Sequence, residues 1–205
     1  MIKYPNGSKN DTSKIPTENK IKLHNLNKAH LGMTFEDMIN SSNDFYLKSD
    51  YAVIHKKPIP IQITKVDYPS RHQAKITEAF YKVPSTTDYN GIYKGYHIDF
   101  EAKSCNGKSF PLQNIYPHQI NHLSLIARHG GIAFLLIMFN DTKDVFILDA
   151  SLLANYYELS LNGGRKSITL DYFKTNGIQI EKKYPPIIDY LTGVDILIKK
   201  KESEK

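Results

Sequence analysis

The sequence predicts an α/β fold in which a mixed central sheet is flanked by helices. Three observations carry that prediction. Tyr96 to Ser104 alternates apolar and polar residues, the pattern of a strand with one face in the core. Ile132 to Phe139 is a continuous apolar run of strand length. Pro117 to Arg128 and Ser151 to Leu161 have helical spacing and stop at glycine pairs, Gly130-Gly131 and Gly163-Gly164.

The other elements follow in chain order. Residues 1–30 are rich in Lys, Asn, Ser and Thr without periodicity. Lys3, Lys9, Lys14, Lys20, Lys22 and Lys28 face only Asp11 and Glu18, which reads as a flexible basic arm. A helix starts near Thr34, where Thr34 and Asp37 have capping-box spacing with Asp in place of the usual Glu. Phe35, Met38, Ile39 and Tyr46 mark its buried stripe, and Tyr51 to His55 forms a short strand. Lys56 to Lys82 is bracketed by prolines. Ile59, Ile61 and Ile63 alternate, Asp67-Tyr68-Pro69-Ser70 turns, and Ala74, Ile76, Ala79 and Phe80 continue with helix-like spacing. Lys56, Lys57, Lys65, Arg71, Lys75 and Lys82 outnumber Asp67 and Glu78 there. The segment is either a projecting basic stalk or an ordinary surface excursion of the sheet. Asn90-Gly91 predicts a turn. Val145 to Leu148 is a second core strand, set off by Asn140-Asp141. The domain reading is an arm over 1–30, one domain over 31–198 with an insertion at about 57–83, and a charged tail over 199–205.

A chain of 205 residues with 40% hydrophobic content buries a real core, which excludes a disordered protein. The net charge of +6 points to a polyanionic partner. Cys105 is the only cysteine, which excludes an intrachain disulfide and a Cys-based zinc site and suits a reducing cytosol. The N-terminus carries no signal-like run. The longest apolar stretch falls well short of the ~20 residues that cross a bilayer, so no membrane association and a cytoplasmic, nucleoid-associated location are expected.

The strand over Tyr96 to Ser104 carries the chemistry. His97, Asp99, Glu101 and Lys103 share one face, with Glu101 and Lys103 about 6.5–7 Å apart along the strand. A carboxylate holds a hard cation such as Mg²⁺, and a neighbouring ammonium orients an attacking water or neutralises charge developing on a phosphate. Asp88 supplies the second carboxylate if its segment folds back beside Glu101. That set suits metal-dependent hydrolysis of a phosphodiester. The same charges also suit an ordinary cross-strand ion pair on a solvated face. Glu36 offers a third carboxylate, or merely sits well at a helix N-terminus. His118 and His122 are four apart on one helix, but no Glu lies between them and no third ligand is evident. Gln119, at the start of that helix, is placed to reach a metal-bound water or DNA. Gly163-Gly164-Arg165-Lys166-Ser167 lacks phosphate-loop spacing and reads as a basic turn.

Met1 to Gly7, Phe45 to Pro58, Ser85 to Lys103 and Lys166 to Gly177 resemble RecU-type Holliday junction resolvases of Gram-positive bacteria, and the resemblance runs over at least Met1 to Leu197. It implies a restriction-endonuclease-like core with a PD-(D/E)xK-type site and a protruding stalk. It implies paired symmetric nicking of four-way DNA junctions by a homodimer, with Mg²⁺ as cofactor and Mn²⁺ as a substitute. Asp88, Glu101 and Lys103 would be catalytic. Asp88, Glu101, Glu36, Thr86 and Gln119 would form the metal site, with Thr87 in support. Arg71, Lys75 and Tyr81 would contact DNA, to which the basic segment adds Lys56 and Lys57 as candidates, and the RecA recombinase would be a further partner. Three positions that carry Arg in the family are Leu31, Met138 and Ile187 here, and the whole chain has three arginines, Arg71, Arg128 and Arg165. Two other readings stand beside this one: a restriction or repair endonuclease of the same fold acting on duplex DNA, and a non-catalytic DNA-binding modulator of RecA.

Overall fold

The computed structural model describes residues 32–82, 86–181 and 183–203. The chain divides into two units, residues 1–33 and 34–205. The basic arm expected over 1–30, together with Leu31, lies outside the described residues.

The second unit is built in three layers around a six-stranded mixed sheet. Helix α1 (Phe35–Lys48) leads into strand β1 (Val53–Lys56). Strands β2 (Ile61–Asp67) and β3 (Lys75–Tyr81) form a separate hairpin. Then come β4 (Tyr89–Tyr93), β5 (Tyr96–Cys105), β6 (Ser109–Pro111), α2 (Pro117–Arg128), β7 (Ile132–Phe139) and β8 (Asp144–Asp149). Helix α3 (Ala150–Leu161), β9 (Ser167–Thr169), α4 (Leu170–Asn176), β10 (Ile178–Ile180) and α5 (Tyr190–Ser203) complete it. The strand order is β1-β4-β5-β7-β8-β10, with β5 and β7 parallel and the other neighbours antiparallel. This is the expected mixed sheet. The crossover from β5 to β7 runs through α2, as a parallel pair requires.

Each face of the sheet closes its own core. Ile98, Phe100, Phe134 and Leu136 pack against Phe35, Ile39 and Tyr46 of α1 and Leu191 and Val194 of α5. Leu135, Ile137 and Phe146 pack against Ile120 and Leu123 of α2, Leu153 of α3 and Phe173 of α4. Burial on both faces is why Ile132 to Phe139 is apolar without interruption. Tyr89, Phe100 and Phe134 stack across three adjacent strands at centroid distances of 4.8 and 4.9 Å with nearly parallel rings. They are direct register partners, Tyr89 with Phe100 and Phe100 with Phe134. A slip of one residue would turn these rings out of the core, so the ladder pins the register of β4 on β5.

The capping box at α1 forms as expected, with the Asp37 N–H donating to Thr34 Oγ1 and the Thr34 N–H to Asp37 Oδ2. Other expectations need correction. Asn90 and Gly91 lie inside β4, and the hairpin turns at Lys94-Gly95, where φ is 49° and 79°. Gly91 is there for close approach, since a Cβ would sit 2.1 Å from Val53 O on β1. Ala74 to Phe80 is not helical. Lys75–Tyr81 pairs with β2, and the short apolar spacing that fits a helix equally fits a strand carrying Ile76 and Phe80 on one side. The charged end is helical through Ser203. Met138 and Ile187 are packing positions here, the first buried in β7 and the second lying against the same core.

The β2–β3 hairpin is unlike the rest. Every residue of both strands is exposed. It leaves from the end of β1 and returns before β4, two strands that are themselves paired. The Lys82 N–H donates to Pro60 O at 2.9 Å and extends its pairing toward the root.

Candidate active site

The register of β4 on β5 places Asp88, one residue before β4, opposite Glu101. Tyr89 and Phe100 turn toward α1, so their neighbours Asp88 and Glu101 turn to the other face. The Asp88 N–H donates to Glu101 Oε2 at 3.2 Å. Lys103 Nζ lies 2.7 Å from Glu101 Oε1, and among the described residues that oxygen has no hydrogen-bond donor beyond this ion pair. The three sequence-derived residues are therefore brought together. They do not lie on a solvated strand face, because the Glu101 side chain is fully buried.

Burial pushes the Glu101 carboxyl up to about 7; Lys103 opposes that shift and the Asp88 charge adds to it. A buried carboxylate held against a second carboxylate, with one oxygen met only by the Lys103 ammonium among the described residues, is a poor arrangement for stability and a good one for a hard cation. The donor chemistry thus fits Mg²⁺. Among the described residues, no three His, Cys, Asp or Glu side chains converge as a metal-binding group.

Glu36 lines a cleft of about 380 Å³ with Thr34, Phe35, Asp88, Tyr89, Ala102 and Ser104. Its carboxylate is ion-paired with Lys56. Those two residues, drawn respectively from the expected metal and DNA sets, neutralise each other at the rim. The Tyr89 hydroxyl donates to Asn40 Oδ1 at 3.1 Å, and burial raises its pKa, with further contributions from Glu36 and Asp88. Thr86 is half-buried beside this segment, its hydroxyl turned to Thr87 O at 3.5 Å. Gln119 is buried, and its Oε1 accepts the Tyr116 N–H at 3.0 Å, so that oxygen serves the start of its own helix. Arg71, Lys75 and Tyr81 are exposed on the hairpin. Lys57 is not: its ammonium turns inward to Asp99 Oδ2 at 2.9 Å and Thr87 Oγ1 at 3.0 Å. His122 also reaches Asp99, while His118 stacks on Tyr116. Asp99 was legible only as a member of the polar face of β5. Besides His97 on its own strand, its partners come from three other segments, and no spacing rule links those.

An α/β sheet that brings two carboxylates and a lysine together across two adjacent strands defines a class of fold and site associated with phosphodiester chemistry. The comparisons with known proteins narrow that class. The family model for Recombination protein U, RecU, matches residues 30–196. The Holliday junction resolvase RecU of Bacillus cytotoxicus is 43% identical over 197 residues, covering 96% of this chain and 98% of that protein. That of Bacillus mycoides is 45% identical over 195 residues, covering 95% and 96%. Among solved structures, the Archaeoglobus fulgidus Hjc, a Holliday junction resolvase from an archaeal hyperthermophile, superposes with a TM-score of 0.40 at 10% identity, covering 69% of this chain and 94% of that one. The chain belongs to the RecU family. Among the described residues no helix is long and apolar enough to cross a membrane.

Proposed function

We propose that this chain is a Mg²⁺-dependent endonuclease that resolves four-way DNA junctions by paired symmetric nicks. The observation that carries the reading is the juxtaposition of Asp88, Glu101 and Lys103 in a member of the RecU family. Asp88 and Glu101 would hold the ion, with Mn²⁺ as a substitute and with Glu36, Thr86 and Gln119 at the margin of the site. When bound, the ion supplies Lewis-acid polarisation of the phosphoryl oxygen, a more acidic water and stabilisation of the leaving oxygen. Lys103 orients the attacking water and offsets charge on the phosphate. Burial of Glu101 restricts water around the carboxylate pair, which strengthens those interactions.

The exposed hairpin, with Arg71, Lys75 and Tyr81, contacts branched DNA and selects it by shape more than by base sequence. Two nicks related by the junction's approximate two-fold symmetry call for a two-fold homodimer. RecA is a further partner on the strength of the resemblance alone. A lysine-rich surface binds phosphates without the bidentate geometry of Arg, so affinity falls steeply with salt.

Incubation with synthetic four-way junctions and Mg²⁺ tests the proposal. Symmetric nicks, outcompeted by unlabelled junction and not by linear duplex, are expected. Equal preference for linear duplex, or junction binding with no cleavage at any metal concentration, would overturn it.

A further inference from the structure

Asp99 lies two residues before Glu101 on the same face of β5, and it is 1% exposed. Its carboxylate is surrounded. Oδ1 accepts the Thr87 hydroxyl. Oδ2 meets Lys57 Nζ at 2.9 Å, His122 Nε2 at 3.3 Å and His97 Nε2 at 3.5 Å. Lys57 also donates to Thr87 Oγ1 at 3.0 Å, closing a triangle among Lys57, Thr87 and Asp99. A buried ion cluster of this kind is a weak means of stabilising a fold, because desolvation offsets most of the attraction. Its position is more informative than its energy. Thr87 immediately precedes Asp88, and the Lys57 N–H donates to Asp88 O at 2.7 Å. The Asp88 N–H is the group that donates to Glu101 Oε2. Lys57 also stands at the root of the β2–β3 hairpin, one residue beyond β1.

We infer that Asp99 is a positioning residue, which through Thr87 and Lys57 fixes the segment that sets Asp88 beside Glu101 and so holds the two carboxylates ready for a divalent cation. The inference deepens the proposed function and rests on its assignment of Asp88 and Glu101. It also gives Lys57 an inward task in place of the expected DNA contact. One carboxylate satisfies Thr87 and Lys57 on separate oxygens. The single carbonyl oxygen of an asparagine does not reproduce both bonds, so Asp99→Asn tests the arrangement with little change in volume.

Mn²⁺ alone is the probe, bound to the full chain and followed by calorimetry, with circular dichroism reporting the fold. Asp99→Asn is expected to weaken Mn²⁺ binding about tenfold or more, the scale seen when a group that orients metal ligands is removed. Thr87→Val weakens it as well, and provides the test if Asp99→Asn fails to fold. Thr87→Ser, which keeps the hydroxyl, recovers several-fold over Thr87→Val. Val194→Ala, on α5 against the opposite face of the sheet from Glu101, controls for lost stability and leaves Mn²⁺ affinity as it was. Asp88-dependent Mn²⁺ binding that is indifferent to Asp99→Asn and Thr87→Val would overturn the inference while leaving the proposed function intact. Asp99-dependent Mn²⁺ binding in a chain that nicks no junction would sustain the inference and overturn the junction reading instead.

Discussion

Strand β5 and the β2–β3 hairpin are written in similar residues and live in opposite environments. Both alternate, Ile98 and Phe100 in one and Ile61 and Ile63 in the other. In β5 Ile98 and Phe100 are fully buried, and the polar residues Asp99 and Glu101 are buried too. In the hairpin nothing is buried, although Ile63, Ile76 and Phe80 are about half exposed or more. Alternation therefore specifies a strand without specifying a core. What differs is the company: β5 lies between β4 and β7 with helices on both sides, and among the described residues the strands of the hairpin pair only with each other. Apolar side chains kept outside in this way form a surface available to a ligand rather than a contribution to the fold.

The contrast yields experiments of decreasing effect. Asp88→Asn should reduce junction nicking by at least about 10²–10³-fold, the scale of losing one transition-state-stabilising group. Single-turnover cleavage measures it, and near-normal rates would move the chemistry away from Asp88. Phe100→Ala should cost about 3–5 kcal/mol of stability, read from urea unfolding. A cost under about 1 kcal/mol would mean that the aromatic ladder is not what organises the sheet. Tyr81→Ala removes an 82% exposed ring from the hairpin. It should weaken junction binding about tenfold, within the range of one base–aromatic stack, with the unfolding midpoint unchanged. Ile63→Ser should move stability by no more than about 0.5 kcal/mol, because it vacates no core. A larger loss would show that the hairpin is packed against something in solution. Cys105 provides the smallest signal. Burial, with the Asp141 charge, pushes its thiol up to about 11. At pH 8 a thiol reagent should leave it unmodified in the folded chain and label it on unfolding.

The same contrast explains what was legible in the sequence. Strand β5, strand β7 and helix α2 are long and strongly periodic, and their spans fall where the pattern places them. The carboxylate pair was legible only in part: a return of the Asp88 segment onto β5 could be expected, but a turn at Asn90-Gly91 would set Asp88 opposite Tyr93, and it is the turn at Lys94-Gly95 that sets it opposite Glu101. Strand β3 was not legible, since seven residues without a core to face satisfy two periods at once. Gly91 was misread because its role is set by β1, thirty-seven residues earlier at Ile54, its register partner. The Asp99 cluster was out of reach for a related reason. It joins Lys57, Thr87 and His122 from three segments, and a one-dimensional pattern records no such meeting.

The stacked rings of Tyr89, Phe100 and Phe134 have a consequence for safety. Asp88 and Glu101 face each other only where Tyr89 already lies on Phe100, since the same register sets both pairs. A chain that has not finished folding, or has paired β4 one residue out of step, carries both carboxylates but not the pair. A nuclease is most dangerous when loosely assembled, and on the proposed reading of Asp88 and Glu101 an unfinished molecule is also a disarmed one.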